Sequence, residues 1–260
     1  MLALFAGKAW EGAFRGVNFT HQLGALKDKR DDRDLLLSTY LTPRKLPKVL
    51  TWGDWKIPAK NQGGYPACVG FSCASMKETQ EKIESGKLCI FDGLSLYNEC
   101  KKVDGIPNQE GTYIRVALKI LQNTGAQLGG RFYKVASYTR VETVDELRFA
   151  LASSGPVVAG VPVYDSWNNP NMRIDLPKEG EPSRGGHAIL ITGYDDNRGV
   201  FYVKNSWGSG WGMGGRIHLS YDYIDKLLYD AWAVVDFEDK VAQTYLRTDK
   251  IARDIEKVTS

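Results

Sequence analysis

The sequence predicts an α+β fold, a helical first half followed by a β-rich second half. Three observations carry this. Behind a turn at Gly63-Gly64-Tyr65-Pro66, the residues Val69, Ser72, Cys73, Met76 and Ile83 recur at helical spacing. Lys77, Glu78, Glu81 and Lys82 fall on the other face. After Phe132 the pattern changes to short apolar runs bounded by turn residues, predicting strands over 156–163, 187–194, 199–204, 215–221 and 231–237. At 260 residues and 43% hydrophobic, the chain makes one large domain or two small lobes with ample core.

Residues 1–46 differ in character from the rest of the chain. Leu2, Phe5, Trp10, Phe14 and Phe19 are more apolar than a solvated tail requires. They precede a mixed-charge run, Arg30-Asp31-Asp32-Arg33-Asp34, and an extended linker, Thr42-Pro43-Arg44-Lys45-Leu46-Pro47. The helix begun at Cys68 is succeeded by two more, around Leu94 to Tyr97 and over 112–121, the second stopped by Gly125. A fourth helix, 143–153, interrupts the strands and is entered at Glu142-Thr143 with acidic residues in its first turn. Residues 164–184 are long for a loop in a compact domain, which marks them as functional or mobile. Residues 239–260 are polar, with Ile251, Ile255 and Val258 at rough helical spacing, and read as a terminal extension.

Net charge is +3 with both signs interspersed, so neither a nucleic-acid nor a membrane-surface footprint is expected. The apolar start from Met1 to Ala6 is too short for a secretory core and lacks a basic leader, and a cytoplasmic location is expected. Cys68, Cys73, Cys89 and Cys100 show no C-x-x-C pairing, so no zinc site and no cofactor are expected.

The chemistry gathers at three stretches. Cys68 falls in the first turn of its helix, where unpaired N–H groups and the helix dipole favour an anion, so its thiol is expected to ionise easily. A lone Cys at such a position is more commonly a small buried hydrophobe. Two later stretches reverse those odds. Gly185-Gly186-His187-Ala188 opens a strand, and Val203-Lys204-Asn205-Ser206-Trp207-Gly208 ends another. Joined through Asp195-Asp196-Asn197-Arg198-Gly199, they form a hairpin that brings His187 beside Asn205. A Cys, a His and an Asn then supply nucleophile, base and orienter, and Gln62, across the turn, aims an amide at the same point. His21 and His218 lack such flanking motifs and read as ordinary histidines.

These stretches resemble the papain-like cysteine peptidases. Gln62-Gly63 followed by Cys68 and Phe71-Ser72 is similar to the family's nucleophile motif. His187-Ala188 with Gly193-Tyr194 is similar to its histidine strand, and Lys204-Asn205-Ser206-Trp207-Gly208 with Gly210-Trp211-Gly212 to its asparagine motif. The resemblance spans roughly Leu46 to Phe237. It implies a two-lobe fold with the active-site cleft between a helical lobe, about 60–134, and a β-sheet or barrel lobe, about 135–238. It implies a cysteine-type peptidase acting through a Cys68 acyl-enzyme, with His187 as acid/base, Asn205 as orienter and Gln62 in the oxyanion hole. Extended peptide or protein substrate is expected along Glu110, Gly111 and Thr112, with Gly186, Ala188 and Trp207 across the cleft. Residues 1–46 then read either as a pro-segment giving intramolecular inhibition by residues 1–45, or as a structural strap. An acyl-transferase or ligase using the same triad, and a non-catalytic peptide-binding protein, are the alternatives.

Departures from the family pattern are Val69, where Trp commonly follows the nucleophile, and Gly186, where Asp or Asn commonly precedes the histidine. Tyr65 stands where secreted members carry a half-cystine, and the region that would pair with Cys100 contains no Cys. The usual disulfides are therefore not expected, which favours a prokaryotic or viral type of member in a reducing compartment. A Cys89–Cys100 bond stays open.

Overall fold

The computed structural model describes residues 22–41, 45–53, 56–168, 170 and 172–235. The early aromatics from Phe5 to Phe19, His21, the linker residues Thr42-Pro43-Arg44 and the extension 239–260 lie outside the described residues. The described chain begins with an extended run holding a two-residue strand, β1 (Ala25–Leu26), and continues to β2 (Val49–Thr51). The helical lobe comes next: α1 (Cys68–Ser85), α2 (Gly93–Lys101), then β3 (Thr112–Tyr113) leading straight into α3 (Ile114–Asn123). The third predicted helix thus starts two residues late, because Thr112 and Tyr113 pair in parallel with β1 instead.

A small hairpin, β4 (Ala126–Leu128) and β5 (Arg131–Tyr133), closes this half. The second half runs β6 (Ser137–Val141), α4 (Val144–Ser153), β7 (Val157–Val163), β8 (Arg173–Ile174), β9 (Gly185–Asp195), β10 (Val200–Lys204), β11 (Arg216–Ser220), α5 (Tyr221–Leu227) and β12 (Asp230–Val235). Its strands form one sheet in the order β6-β12-β7-β9-β10-β11-β8, with β2 also paired to β9. The expected helical-then-β order holds, except that β2, ahead of the helical lobe in sequence, belongs to the sheet. α4 starts where the acidic first turn put it: Thr143 Oγ1 accepts from the Glu146 N–H, and the Glu146 carboxylate reaches back to the Glu142 N–H.

The central strands read as continuous apolar runs because both faces of the sheet are covered. Ala159, Val161, Ile189 and Ile191 face one core inside the β lobe. Val158, Ala188, Leu190 and Trp232 face a second core against α1, α2 and α3. On β9 this alternation sends His187 to the first side and Ala188 to the second, toward α1.

On α1 the charged residues Lys77, Glu78 and Glu81 are buried. The helix is packed between the sheet and the other two helices, so its polar face has to be neutralised internally. Lys77 pairs with Glu81 at 2.8 Å, one turn on. Glu78 takes Lys60 at 2.6 Å and the Phe91 N–H at 2.8 Å on the same oxygen. Helical spacing alone could not reveal this, because a charged stripe looks the same whether water or a counter-ion covers it. Leu37 also counts among the core residues of the β lobe, tying part of the leading segment to the body.

Glu78 is fully buried, and its removal strands the Lys60 ammonium and an amide donor. Glu78→Ala is expected to cost about 3–5 kcal/mol in chemical denaturation, the range for breaking a buried pair from one side. Glu78→Gln, which keeps an acceptor for Phe91, should cost less.

Candidate active site

Cys68 is the first residue of α1, and its N-cap, Ala67, offers no side-chain bond to the orphan amides of that turn. The backbone groups of Ala188, Gly24 and Val69 near the sulfur favour its anion. One turn further, Ser72 Oγ donates to the Ala188 carbonyl at 2.7 Å, which seats the start of α1 against the residue after His187. His187 pairs with Val161 on β7, and its Nε2 lies 2.7 Å from Asn205 Oδ1. Asn205 follows β10 directly, so the predicted hairpin does bring the two together. The same Asn205 oxygen accepts the Ser206 N–H at 2.7 Å, which fixes the carboxamide with its oxygen toward the ring.

Gln62 is held from behind. Its Oε1 accepts from Ser206 Oγ at 2.7 Å, and its backbone N–H donates to the Ser206 carbonyl at 2.8 Å. This turns the amide N–H₂ toward the start of α1, where it donates to the carbonyls of Tyr65 and Gln22, each at 2.8 Å. Behind His187 stands an aromatic wall. Trp207 lies 4.7 Å from the ring, Trp167 meets the ring edge-on at 6.2 Å, and Trp211 stacks on Trp167 at 6.0 Å. Trp207 therefore packs against the His187 ring. Trp167 comes from the long 164–184 loop and is wholly buried. The loop's length marked it as notable, but nothing in its composition pointed to the histidine.

The leading segment crosses this centre. The Gln22 carbonyl sits on the Gln62 amide, and the Gly24 carbonyl accepts the Thr112 N–H at 2.9 Å. Glycines make the approach close enough. A Cβ on Gly24 would lie 2.0 Å from the Pro66 oxygen, and one on Gly111 would lie 2.4 Å from the Gly24 oxygen. Opposite, a Cβ on Gly186 would lie 2.1 Å from the Ala25 oxygen. Gly111, Thr112 and Gly186 thus border the chain's own extended backbone at Gly24 and Ala25. Glu110 is exposed and is not drawn into these contacts.

Burial of the centre opposes the expectation of an easily ionised thiol. Cys68 and His187 are both 0% exposed. Burial dominates over the amides aimed at the sulfur and pushes the Cys68 thiol up to about 11. All four cysteines are free, so the Cys89–Cys100 bond left open by the sequence is absent. His218, read as an ordinary histidine, is buried against the Tyr202 ring at 5.1 Å.

Beyond β1 the segment is fastened by charge. The Asp28 N–H donates to Asp230 Oδ2 at 2.8 Å, and Asp28 Oδ2 accepts the Arg115 N–H at 3.0 Å. The Arg115 guanidinium grips both oxygens of Asp34 at 2.8 and 2.9 Å. Burial, and then the negative charge of Asp230, push Asp28 up to about 7.

In the intact chain near pH 7, brief alkylation should label half-buried Cys89 ahead of Cys68. Peptide mapping reads this, and rapid labelling of Cys68 would contradict a closed cleft. For Asp28 the sign is that of a raised acid: its contribution is complete below its ordinary 3.8 and is lost as pH rises through about 7. The Asp28→Asn variant should therefore lose less melting temperature than the parent between these limits. Equal slopes would show that Asp28 does not titrate there.

The sequence profile described as papain family cysteine protease matches residues 97–226, half of the chain, covering His187 and Asn205. An uncharacterized peptidase C1-like protein of Acanthamoeba polyphaga mimivirus is 26% identical, over 87% of this chain and 90% of that protein. Mouse procathepsin L is also 26% identical, over 68% of this chain, which spans 61% of procathepsin L. Among solved structures, xylellain, a cysteine protease from Xylella fastidiosa, superposes with a TM-score of 0.72 at 27% identity. That match covers 84% of this chain and 97% of xylellain. With the sheet, the helical lobe and the Cys68, His187 and Asn205 stretches in the matching order, the chain belongs to the papain family of cysteine proteases.

Proposed function

We propose that this chain hydrolyses peptide bonds through Cys68 and that its own residues 22–28 hold it latent. The observation that carries the proposal is the extended backbone lying between Gly111-Thr112 and Gly186, with a carbonyl on the Gln62 amide. A groove that closes on main chain from both sides, at glycines, suits extended peptide whatever its side chains.

With the segment displaced, water and substrate reach Cys68 and the burial that raises its pKa is relieved. The thiolate, paired with the His187 imidazolium, attacks the substrate carbonyl carbon. The carbonyl oxygen becomes an oxyanion, taken by the Gln62 N–H₂ and the Cys68 backbone N–H. The C–N bond then breaks, and His187 gives its proton to the departing amine. Water adds to the thioester with His187 as base, the C–S bond breaks, and the acid product leaves the thiolate restored. Since His187 Nε2 is committed to Asn205, Nδ1 is the nitrogen that serves Cys68. Trp207 and Trp167 keep water from the Asn205 bond, so the ring holds one orientation through both proton transfers.

The segment combines both roles expected of residues 1–46. Residues 22–28 block, whereas Leu37 packs in the core, so a chain starting at Leu46 should be less stable as well as uncovered. Gly24→Val in the full chain is the cleaner test, because its side chain collides with the Pro66 carbonyl and leaves Leu37 in place. It should raise turnover of an unfolded protein substrate about tenfold or more over the parent, by raising the competent fraction. No hydrolysis by either chain would overturn the proposal. Adding a free amine and identifying products by mass separates hydrolysis from acyl transfer.

In that background Cys68→Ala and His187→Ala should each abolish turnover, and the double variant should be no worse, since the groups act as one unit. Gln62→Ala should retain activity lowered by about 10²–10³, the loss of one oxyanion donor. Additive losses for the first pair would mean that they do not act together.

A further inference from the structure

A groove of about 730 Å³ runs along α3 on the side of Val116 and Ile120, and none of its lining residues belongs to the catalytic centre. The other side of α3, with Ala117, Leu118 and Leu121, fills the core. Leu35 of the leading segment, Val103 after α2 and Tyr138 of β6 complete an apolar lining. Leu35 is 46% exposed and Val103 66%, while Val116, Ile120 and Tyr138 are only partly buried on the core beneath. Such side chains are ordinary singly, but gathered around one groove they mark a contact surface. The charge at the groove is already met, because Arg115 pairs with Asp34 at 2.8 Å. What is left to cover is apolar. The sheet delivers the chain to this place. β12 ends at Val235, opposite Ser137 of β6, and the Val235 carbonyl accepts the Ala136 N–H at 2.9 Å. Ser137 itself lines the groove, so residues 236–260 set out from its wall.

We propose that this groove is the docking site of the chain's own C-terminal extension, which seats Ile251, Ile255 and Val258 on it. Those three residues stand at i, i+4 and i+7, the spacing that gathers apolar side chains on one helical face. From Ile251 to Val258 such a face is ~10 Å long, at ~1.5 Å per residue. α3 is 10 residues long, so residues 236–250 suffice to bring the stripe to any point along it. The tether also makes docking intramolecular, so a modest apolar contact is enough to keep the groove occupied. Residues 1–21 carry apolar side chains too, but they join the body at Gln22, beside the Gln62 amide, and not at the groove wall. A docked extension touches Leu35 and α3 together. It therefore clamps residues 31–35, which continue from the segment over the active site, onto the helical lobe.

Two measurements on the full chain test this, and neither depends on peptidase activity. In the first, the photo-crosslinking amino acid p-benzoylphenylalanine replaces Val103, whose exposure lets the larger side chain in without repacking. After irradiation, mass spectrometry should find crosslinks within one chain to residues 251–258. Crosslinks to residues 1–21 or to a second copy would give the groove a different occupant and overturn the proposal. Crosslinks to the groove's own residues alone, or none, would overturn it as well. In the second, hydrogen exchange is compared between the parent and a chain carrying Ile251→Asp with Ile255→Asp, substitutions that leave the folded body untouched. Withdrawing even one isoleucine from apolar surface is worth about tenfold in an equilibrium. Amides of residues 31–37 and 116–124 should therefore exchange about tenfold faster or more in the variant. Unchanged exchange over both stretches would overturn the docking.

Discussion

The bond from Ser72 to the Ala188 carbonyl spans the two lobes next to the reacting groups, and the rest of the site depends on that seating. It fixes the first turn of α1 against β9 one residue from His187, so the nucleophile's position is set by a helix and the base's by a strand. Both are rigid elements whose backbone bonds are internally satisfied. The orienting residues are likewise stacked behind one another: Ser206 aims Gln62, and Ser206 and Asn205 are consecutive. One short piece of chain after β10 therefore sets the geometry of both the histidine and the amide.

Much of the fold and the centre was legible. Glycines at 185–186 and 208–212, the Asp195–Gly199 turn and the helical spacing after Cys68 each have a local physical cause, and local causes appear in sequence. Strand ends for β7, β9, β10 and β11 fell within a residue or two of their places. What escaped was set by contacts distant in sequence. The burial of Lys77, Glu78 and Glu81 depends on α1 being surrounded. Trp167 meets His187, twenty residues further along the chain, only in the folded structure. The raised thiol of Cys68 comes from its burial, and a helix-terminus argument has no knowledge of what lies across the terminus.

The closed cleft also reconciles two demands that would otherwise conflict. A nucleophile in a wet, electropositive turn is reactive toward every carbonyl and oxidant it meets. Here the features that favour the anion, amide donors and a helix start, are kept intact beneath a cover that favours the neutral thiol. The cover touches mostly main chain, through Gln22, Gly24 and Ala25. Its contact is not main chain alone, because Ala25 is buried in the same core as Cys68 and Ala188.

The pairing of β2 with β9 gives the covalent continuity of the chain a particular meaning. Val49–Thr51 is stitched into the sheet, so the chain from β2 onward stays anchored there if it is cut ahead of Lys48, although the core then loses Leu37 if the cut piece departs. If the cover leaves the cleft as proposed, then while the chain is whole it would rebind at an effective concentration commonly in the millimolar range, independent of how much protein is present. After a cut it becomes a separate ligand, and its occupancy follows ordinary mass action and falls on dilution. A single broken bond in that stretch would turn a reversible, concentration-blind equilibrium into a one-way release timed by the volume into which the cover escapes.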